Sequence, residues 1–268
     1  MVQKANPRSK RLLTEQRHQA ILHLVREGEL VTVDELVNRL QVSKMTIWRD
    51  LMTLEQSGRL RRVRGGAARM QGDIRSAEPY FKSKKVIHRQ KKAAIARLAA
   101  EQFVDEDDII ILEAGTTAGA MVEHLTQSGL TVITNGLGIL NEIAIQVPDT
   151  TVLCCGGMLR PVGFTFVGPQ AEEFFHSLRA RTLFLSATGI ALPEGITDPN
   201  LLEIQVKRAM ADSASRIVLL MDSSKFGVRS LAPILPLERI QVLITDSETP
   251  AEFLEQLRKL QIEIHLAA

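Results

Sequence analysis

Val42-Ser43-Lys44-Met45-Thr46-Ile47-Trp48-Arg49-Asp50-Leu51 reads as one helix with two unlike faces. Ser43 stands where an N-cap is needed, its hydroxyl able to accept from a free backbone N–H of the first turn. At about 100° per residue, Ile47, Leu51 and Leu54 share one face. Met45 and Arg49 fall nearly opposite, with Thr46 and Trp48 on the flanks. An aliphatic stripe behind a cation, a hydroxyl and an indole suits a helix held in the major groove of duplex DNA. An ordinary amphipathic surface helix carries the same stripe, so the flanking chain decides.

Upstream, Thr14 to Glu27 carries Ile21, Leu22, Leu24 and Val25 and reads as a first helix ending near Gly28. Thr32 and Glu35 make a T-x-x-E capping box for a second helix, whose apolar side is Leu36, Val37 and Leu40. A tight turn at Gln41-Val42 then leads to Ser43. Two short helices across a tight turn, the second with exposed polar groups, form a helix-turn-helix pattern. Downstream, the third helix is expected to end at Gly58, and residues 59–69 contain five arginines. Leu60 and Val63 can anchor two short strands with the arginines outward, a wing whose cations reach phosphates or a minor groove. A solvated charge run is the competing reading. The candidate DNA contacts are Ser43, Lys44, Thr46, Trp48, Arg49, Arg61, Arg62 and Arg64.

The charge distribution agrees. Residues 1–75 hold 15 Lys/Arg against 8 Asp/Glu, and the remainder holds 18 against 23, so a net charge of +2 conceals a basic N-terminal segment on a mildly acidic body. The 268 residues, 45% of them apolar, suffice for two modest domains with real cores. The two cysteines, Cys154 and Cys155, are adjacent in an apolar run and read as reduced, buried thiols of a cytoplasmic protein. The six histidines are scattered with no ligand spacing, so no metal and no cofactor is expected; His18 and His23 read as surface residues. Neither a signal peptide nor a membrane span is expected.

From residue 70 to 92 apolar periodicity lapses; the turn-like Gln71-Gly72-Asp73 and Ala77-Glu78-Pro79 precede a cluster of Lys82, Lys84, Lys85, Arg89, Lys91 and Lys92. That cluster is either a basic connector that helps hold DNA or a solvated helix start. Beyond it, short apolar runs alternate with helical segments. Candidate strands are Ile109–Leu112, Thr131–Thr134, Thr151–Cys155, Thr182–Ser186, Ile217–Met221 and Val242–Thr245, near-continuous as in parallel strands covered on both faces. Leu201–Ser213 is the clearest helix, and Ala120–Leu125 a shorter one. Ligands of such sheets bind beyond the strands' carboxyl ends. There stand Glu113-Ala114-Gly115-Thr116-Thr117, Thr134-Asn135-Gly136 and Gly156-Gly157, three glycine-bearing turns that could cradle a phosphate or be plain turns. No Walker A or G-x-G-x-x-G fingerprint is present. Phe164 and Phe166 fit a lid or the core.

The first segment resembles the N-terminal domain of the DeoR family of bacterial transcriptional regulators. Val42, Ser43, Thr46, Ile47, Arg49, Asp50, Leu51, Leu54, Glu55, Gly58, Leu60, Arg62, Gly65, Gly66 and Ala67 match that family's pattern. Trp48 replaces the first arginine of its usual pair, and Arg64 its usual histidine, so the operator sequence is expected to depart from the family norm. The body resembles the family's sensor domain, which shares a fold with ribose-5-phosphate isomerase. Glu113, Gly115, Thr116, Thr117, Thr134-Asn135, Gly156-Gly157, Glu203, Lys207, Met210, Asp222 to Gly227 and Ile244 to Asp246 carry that resemblance, as do Lys92, Ile95 and Ala96.

The resemblance implies an α+β protein of two domains: a winged helix-turn-helix at 12–69, a linker at 70–92 and a mainly parallel α/β effector-sensing domain at 93–268. It implies a repressor of a carbohydrate operon, homodimeric or homotetrameric, whose operator affinity responds to a phosphorylated sugar. Thr116 and Thr117 would hold the phosphate, Lys207 and Lys225 would neutralise it or meet hydroxyls, and Glu113, Glu203 and Asp222 would accept from the sugar. The alternatives are an i,i+4 surface pair for Glu203 and Lys207 and a strand-end cap for Asp222. A sugar-phosphate isomerase with a DNA-binding appendage is the rival from another class, with Glu113, Glu203 and Asp222 as its candidate bases.

Overall fold

The computed structural model describes residues 14–28, 30–56, 59–63, 65–68, 81–147 and 149–268. Arg64, Gly58 and residues 70–80 of the expected linker lie outside them. The chain divides into two compact units, Met1–Gln71 and Gly72–Ala268.

The smaller unit runs α1 (Thr14–Gly28), β1 (Leu30–Thr32), α2 (Val33–Leu40), α3 (Lys44–Gln56), β2 (Arg61–Val63) and β3 (Gly66–Ala68). Caps set the helix starts as the sequence predicts. Thr32 Oγ1 accepts from Glu35 N–H at 3.2 Å, and Ser43 Oγ accepts from Thr46 N–H at 3.2 Å. Gln41 takes a left-handed conformation (φ 52°) and ends α2, which makes the tight turn. Ile21, Val25, Leu36, Ile47, Leu51, Leu54 and Leu60 form one core. The wing is a three-stranded antiparallel sheet in the order β1-β3-β2, so the strand before α2 belongs to it. Gly66 permits this: a Cβ there would sit 2.2 Å from Val31 O.

One surface assignment is corrected. His18 is buried and lies 3.1 Å from Asp50 Oδ1, while Arg17 grips the same carboxylate through Nε and Nη2. These bonds tie α1 to the buried side of α3.

The larger unit begins with α4 (Phe81–Val86) and α5 (Arg89–Phe103), so residues 81–86 and 89–92, expected as linker, are helical and part of this body. The remaining elements are β4 (Ile109–Leu112), α6 (Thr116–Gly119), β5 (Thr131–Thr134), α7 (Leu137–Gln146), β6 (Thr151–Cys154), β7 (Met158–Arg160), β8 (Thr165–Val167), α8 (Pro169–His176), β9 (Ala180–Leu185), β10 (Gly189–Ala191), β11 (Gly195–Asp198), α9 (Leu201–Ser213), β12 (Ala214–Leu220), β13 (Ala232–Leu235), β14 (Val242–Asp246), α10 (Ala251–Lys259) and β15 (Glu263–Ala267). Where a helix was expected at 120–125, α6 gives way to a 3-10 turn, Ala120–His124.

Seven strands form a parallel sheet in the order β15-β14-β12-β9-β4-β5-β6. Alternate residues of each strand feed two cores. Ile111, Leu183, Leu219 and Leu243 join one; Ile110, Leu112, Val132, Phe184, Val218 and Ile244 join the other. Burial on both faces is why these runs read as continuous. The chain builds outward from β4 through β6 and then returns to β9 on the opposite side. The strand order therefore reverses between β4 and β9, and their carboxyl ends form the crevice where such sheets bind ligands.

Candidate functional sites

In α3, Ile47, Leu51 and Leu54 face the core, while Lys44, Met45, Arg49 and Met52 are exposed. Lys44 reaches Asp34 at 2.8 Å, but both side chains are mostly solvated, so the pair holds weakly. The Thr46 hydroxyl is 2.9 Å from Ser43 Oγ, so these two residues are committed to the cap. Arg49 and Arg61 are exposed cations on the helix and the wing. Arg62 is not: Glu55 takes its Nε and its backbone N–H, and its guanidinium lies over the Trp48 ring. Trp48 is half-buried against the core. The helix thus presents Lys44 and Arg49, and the wing Arg61, as an exposed cationic surface suited to phosphates.

At the crevice of the larger unit two charge clusters form. In the first, Glu113, at the end of β4, accepts from the Ser186 hydroxyl at 2.8 Å and pairs with Lys207 Nζ at 3.1 Å. Gly115 lets that approach happen, since a Cβ there would stand 1.8 Å from Ser186 Oγ. Lys207 also meets Asp198 Oδ2 and donates to Ser186 O at 2.9 Å. Burial by itself would lower the Lys207 pKa, but Asp198, Glu113 and Glu203 outweigh it and hold the ammonium well above the ordinary lysine range. Asp198, despite burial, is held below the usual carboxylate range by Lys207. Glu203 accepts from Thr165 Oγ1 at 2.6 Å and pairs with Arg160, both on the β7–β8 hairpin. Glu203 and Lys207 are therefore not a surface i,i+4 pair; both are buried and each has partners on other elements.

In the second cluster, Lys92 Nζ donates to Thr116 Oγ1 at 2.8 Å and to Lys84 O. Burial, reinforced by the neighbouring charges of Lys225 and Lys84, lowers the Lys92 pKa to about 8, against the pull of Asp222. Asp222 caps the turn after β12, accepting from Ser224 N–H at 3.0 Å through Oδ1. Its Oδ2 is buried and has no hydrogen-bond partner among the described residues. Burial would raise its pKa, but Lys225, Ser224, His88 and Lys92 hold it below the ordinary range. The cap expected as an alternative for Asp222 and its closeness to cations are both present.

The other expected ligands have internal duties. Thr134 Oγ1 bonds Leu112 O at 2.7 Å, and Asn135 Oδ1 accepts from Ala114 N–H at 3.0 Å; both side chains are fully buried. They brace the turn after β4. Gly156 and Gly157, at φ 62° and 97°, turn the chain from β6 toward β7, with Gly157 set closely against Val167 O. Thr117 is buried on α6. Phe164 stacks on Phe81 at 5.6 Å and Phe166 packs against a core, which fits the packing alternative to a lid.

Ser186, Asp198 and Arg160 are residues that sequence reasoning missed, and Lys92, which it places in a basic cluster and in the family match, carries no site role there. Only Lys92 left a usable signal: it shares the inward face of α5 with Ile95, Ala96, Ala99 and Phe103.

Two family models match this chain, one described as the DeoR-like helix-turn-helix domain over residues 17–72 and one as the DeoR C terminal sensor domain over residues 87–247. The HTH-type transcriptional regulator GolR of Listeria innocua is 34% identical, covering 94% of this chain and 98% of its own. The transcriptional repressor AccR of Agrobacterium fabrum is 33% identical over 88% of this chain and 91% of its own. Ribose 5-phosphate isomerase from Plasmodium falciparum superposes with a TM-score of 0.37 at 15% identity, covering 50% of this chain and 52% of that one.

Proposed function

The chain belongs to the DeoR family of transcriptional regulators, and from that premise we propose that it is a cytoplasmic repressor of a carbohydrate operon, released from DNA by a phosphorylated sugar. The helix α3 enters a major groove and the wing lies along the backbone. Lys44, Arg49 and Arg61 supply charge to phosphates. A symmetric homodimer or homotetramer sets two such helices on repeated half-sites.

The observation that carries the effector reading is Lys92, bonded to Thr116 Oγ1 at the carboxyl ends of the central strands, with Lys225, Asp222 and Lys84 close enough to act on its charge. Three cations and a hydroxyl favour a phosphate, and the unpartnered Asp222 Oδ2 favours a hydroxyl donor beside it. Glu113, Lys207 and Glu203 complete the polar floor. The isomerase alternative is less well supported, since Glu113 and Glu203, two of its candidate bases, are held by Lys207 and Arg160. Regulation then requires that the sugar phosphate bind the DNA-competent and DNA-free states with unequal affinity.

A panel of phosphorylated sugars tests this in a thermal-shift assay on the full chain. A specific effector raises the melting temperature by mass action and weakens DNA binding; Lys92→Met abolishes both effects. No shift from any member at millimolar concentration overturns the effector reading.

A further inference from the structure

Trp48, Glu55 and Arg62 are spaced seven apart in sequence. On α3 a spacing of seven puts Trp48 and Glu55 on one face, two turns apart. On β2 successive side chains alternate, so Arg61 and Arg62 point to opposite sides. Arg61 is exposed, while Arg62 turns back toward α3. There Glu55 uses both oxygens on one residue, Oε1 on the Arg62 backbone N–H at 3.1 Å and Oε2 on its Nε. The guanidinium carbon lies 6.0 Å from the centroid of the Trp48 ring. All three side chains are partly buried, Arg62 and Glu55 each at 34% exposure.

We propose that Glu55, Arg62 and Trp48 act as a clamp that sets where the wing stands relative to α3. Arg62 and Trp48 are then positioning residues for DNA binding, and the cationic contact of β2 to the phosphate backbone is made by Arg61. The carboxylate fixes the wing backbone as well as the side chain, because it binds an amide and the guanidinium at once. The indole face attracts the cation and shields the Glu55–Arg62 pair from water. Arginine, which the family pattern places at position 48, would set a second cation against Arg62. Tryptophan there exchanges a direct charge for a more rigid wing. This inference rests on α3 and the wing being the DNA-binding surface.

The test measures Kd against salt by fluorescence anisotropy, with the full chain and a duplex selected from a random-sequence library by the wild type. A cation that touches phosphate contributes about 0.9 to the slope of log K against log salt. Arg61→Ala and Arg49→Ala are expected to weaken binding and lower that slope. Arg62→Ala, Glu55→Gln and Trp48→Ala are expected to weaken binding about tenfold and to lower the slope by no more than the single Arg61 contact, about 0.9, although Glu55→Gln and Trp48→Ala remove no cation. Trp48→Phe keeps a ring face and stays within about threefold of wild type. In the double variant Arg61→Ala/Trp48→Ala the losses are less than additive, because a misplaced wing has already lost the Arg61 contact. A general loss of fold stability would lower melting temperature without that non-additivity.

A further fall in slope of about 0.9 when Arg62→Ala is added to Arg61→Ala, with additive losses of affinity, overturns the clamp and makes Arg62 a direct phosphate contact. If Arg62→Ala does not fold, Arg62→Lys decides. The clamp predicts a clear loss of affinity despite the retained charge, and affinity within a few-fold of wild type overturns it. If Arg49→Ala, Arg61→Ala and Arg62→Ala all bind as wild type does, the DNA-surface reading itself fails, an outcome distinct from failure of the clamp.

Discussion

Replacing Asp50 by alanine should loosen the DNA-binding unit while leaving the larger unit intact. Asp50 is 3% exposed and Arg17 8%, and the carboxylate takes two bonds from Arg17 and one from His18. Asp50→Ala leaves a covered guanidinium without its counter-charge. Breaking a buried pair from one side costs about 3–5 kcal/mol. Arg17 keeps some contact with solvent at 8% exposure, so the low end of that range, about 3 kcal/mol, applies. A domain of this size has roughly 3–8 kcal/mol in total, so the loss is a large share of it. With an m-value of about 1 kcal/mol/M in urea, the midpoint should fall by about 3 M. Trp48 is the only tryptophan, so its fluorescence reports this unit selectively, and circular dichroism follows the rest. Asp50→Asn, which keeps one acceptor oxygen, should lie between the two. A midpoint within about 0.5 M of wild type would refute the argument and reduce the contact to a solvent-screened pair.

Gly66→Ala forces a Cβ to within 2.2 Å of Val31 O, so β3 must part from β1; about 1–3 kcal/mol is lost from the same fluorescence transition, and an unchanged midpoint contradicts the close approach. Lys207→Met strands the buried carboxylates of Asp198 and Glu113 and should cost about 3–5 kcal/mol in the dichroism transition, with Asp198→Asn in the same chain recovering part of it. The Lys92 pKa falls on folding from 10.5 to about 8, so between those values the unfolded chain binds more protons and the contribution of Lys92 makes stability rise with pH. Over the same window the affinity for a phosphorylated ligand should fall as Lys92 loses its charge. A difference between wild type and Lys92→Met that stays constant from pH 7 to 10 would contradict both statements. The hydrogen bond from Cys155 lowers the half-buried Cys154 thiol to about 6, while that same bond and burial push Cys155 up. Iodoacetamide at pH 7 should therefore modify Cys154 first; equal labelling by peptide mass spectrometry would overturn this.

Local signals decided much of the fold. The Ser43 and Thr32 caps, the aliphatic stripe of α3 and the bounds of α9 and β4 depend on residues within a few positions of each other, and all are legible in one dimension. The short strands β7, β8, β10, β11 and β13 and the edge strand β15 were not read, because three to five residues paired with distant partners leave little periodicity. The candidate site divides in the same way. Its location beyond the strand ends followed from the sequence of runs and turns, and Glu113, Thr116, Lys207 and Asp222 were named from motif and chemistry.

What those residues do was decided by the tertiary structure. Lys207 lies four positions from Glu203, yet its partners are Asp198 and Glu113, across a loop and on another strand. Lys92 sits among surface-like lysines and is buried; His18 reads as exposed and is held by Asp50. Arg62 stands in a basic run and turns inward to Glu55. The amino-acid sequence by itself determined the two-domain plan, the capped recognition helix and the parallel sheet, because capping and apolar periodicity act over a few residues. Only the folded chain decided which charges face solvent and which face each other, because a polar group's partner is set by chain closure across tens of residues, and its state by the water that closure removes.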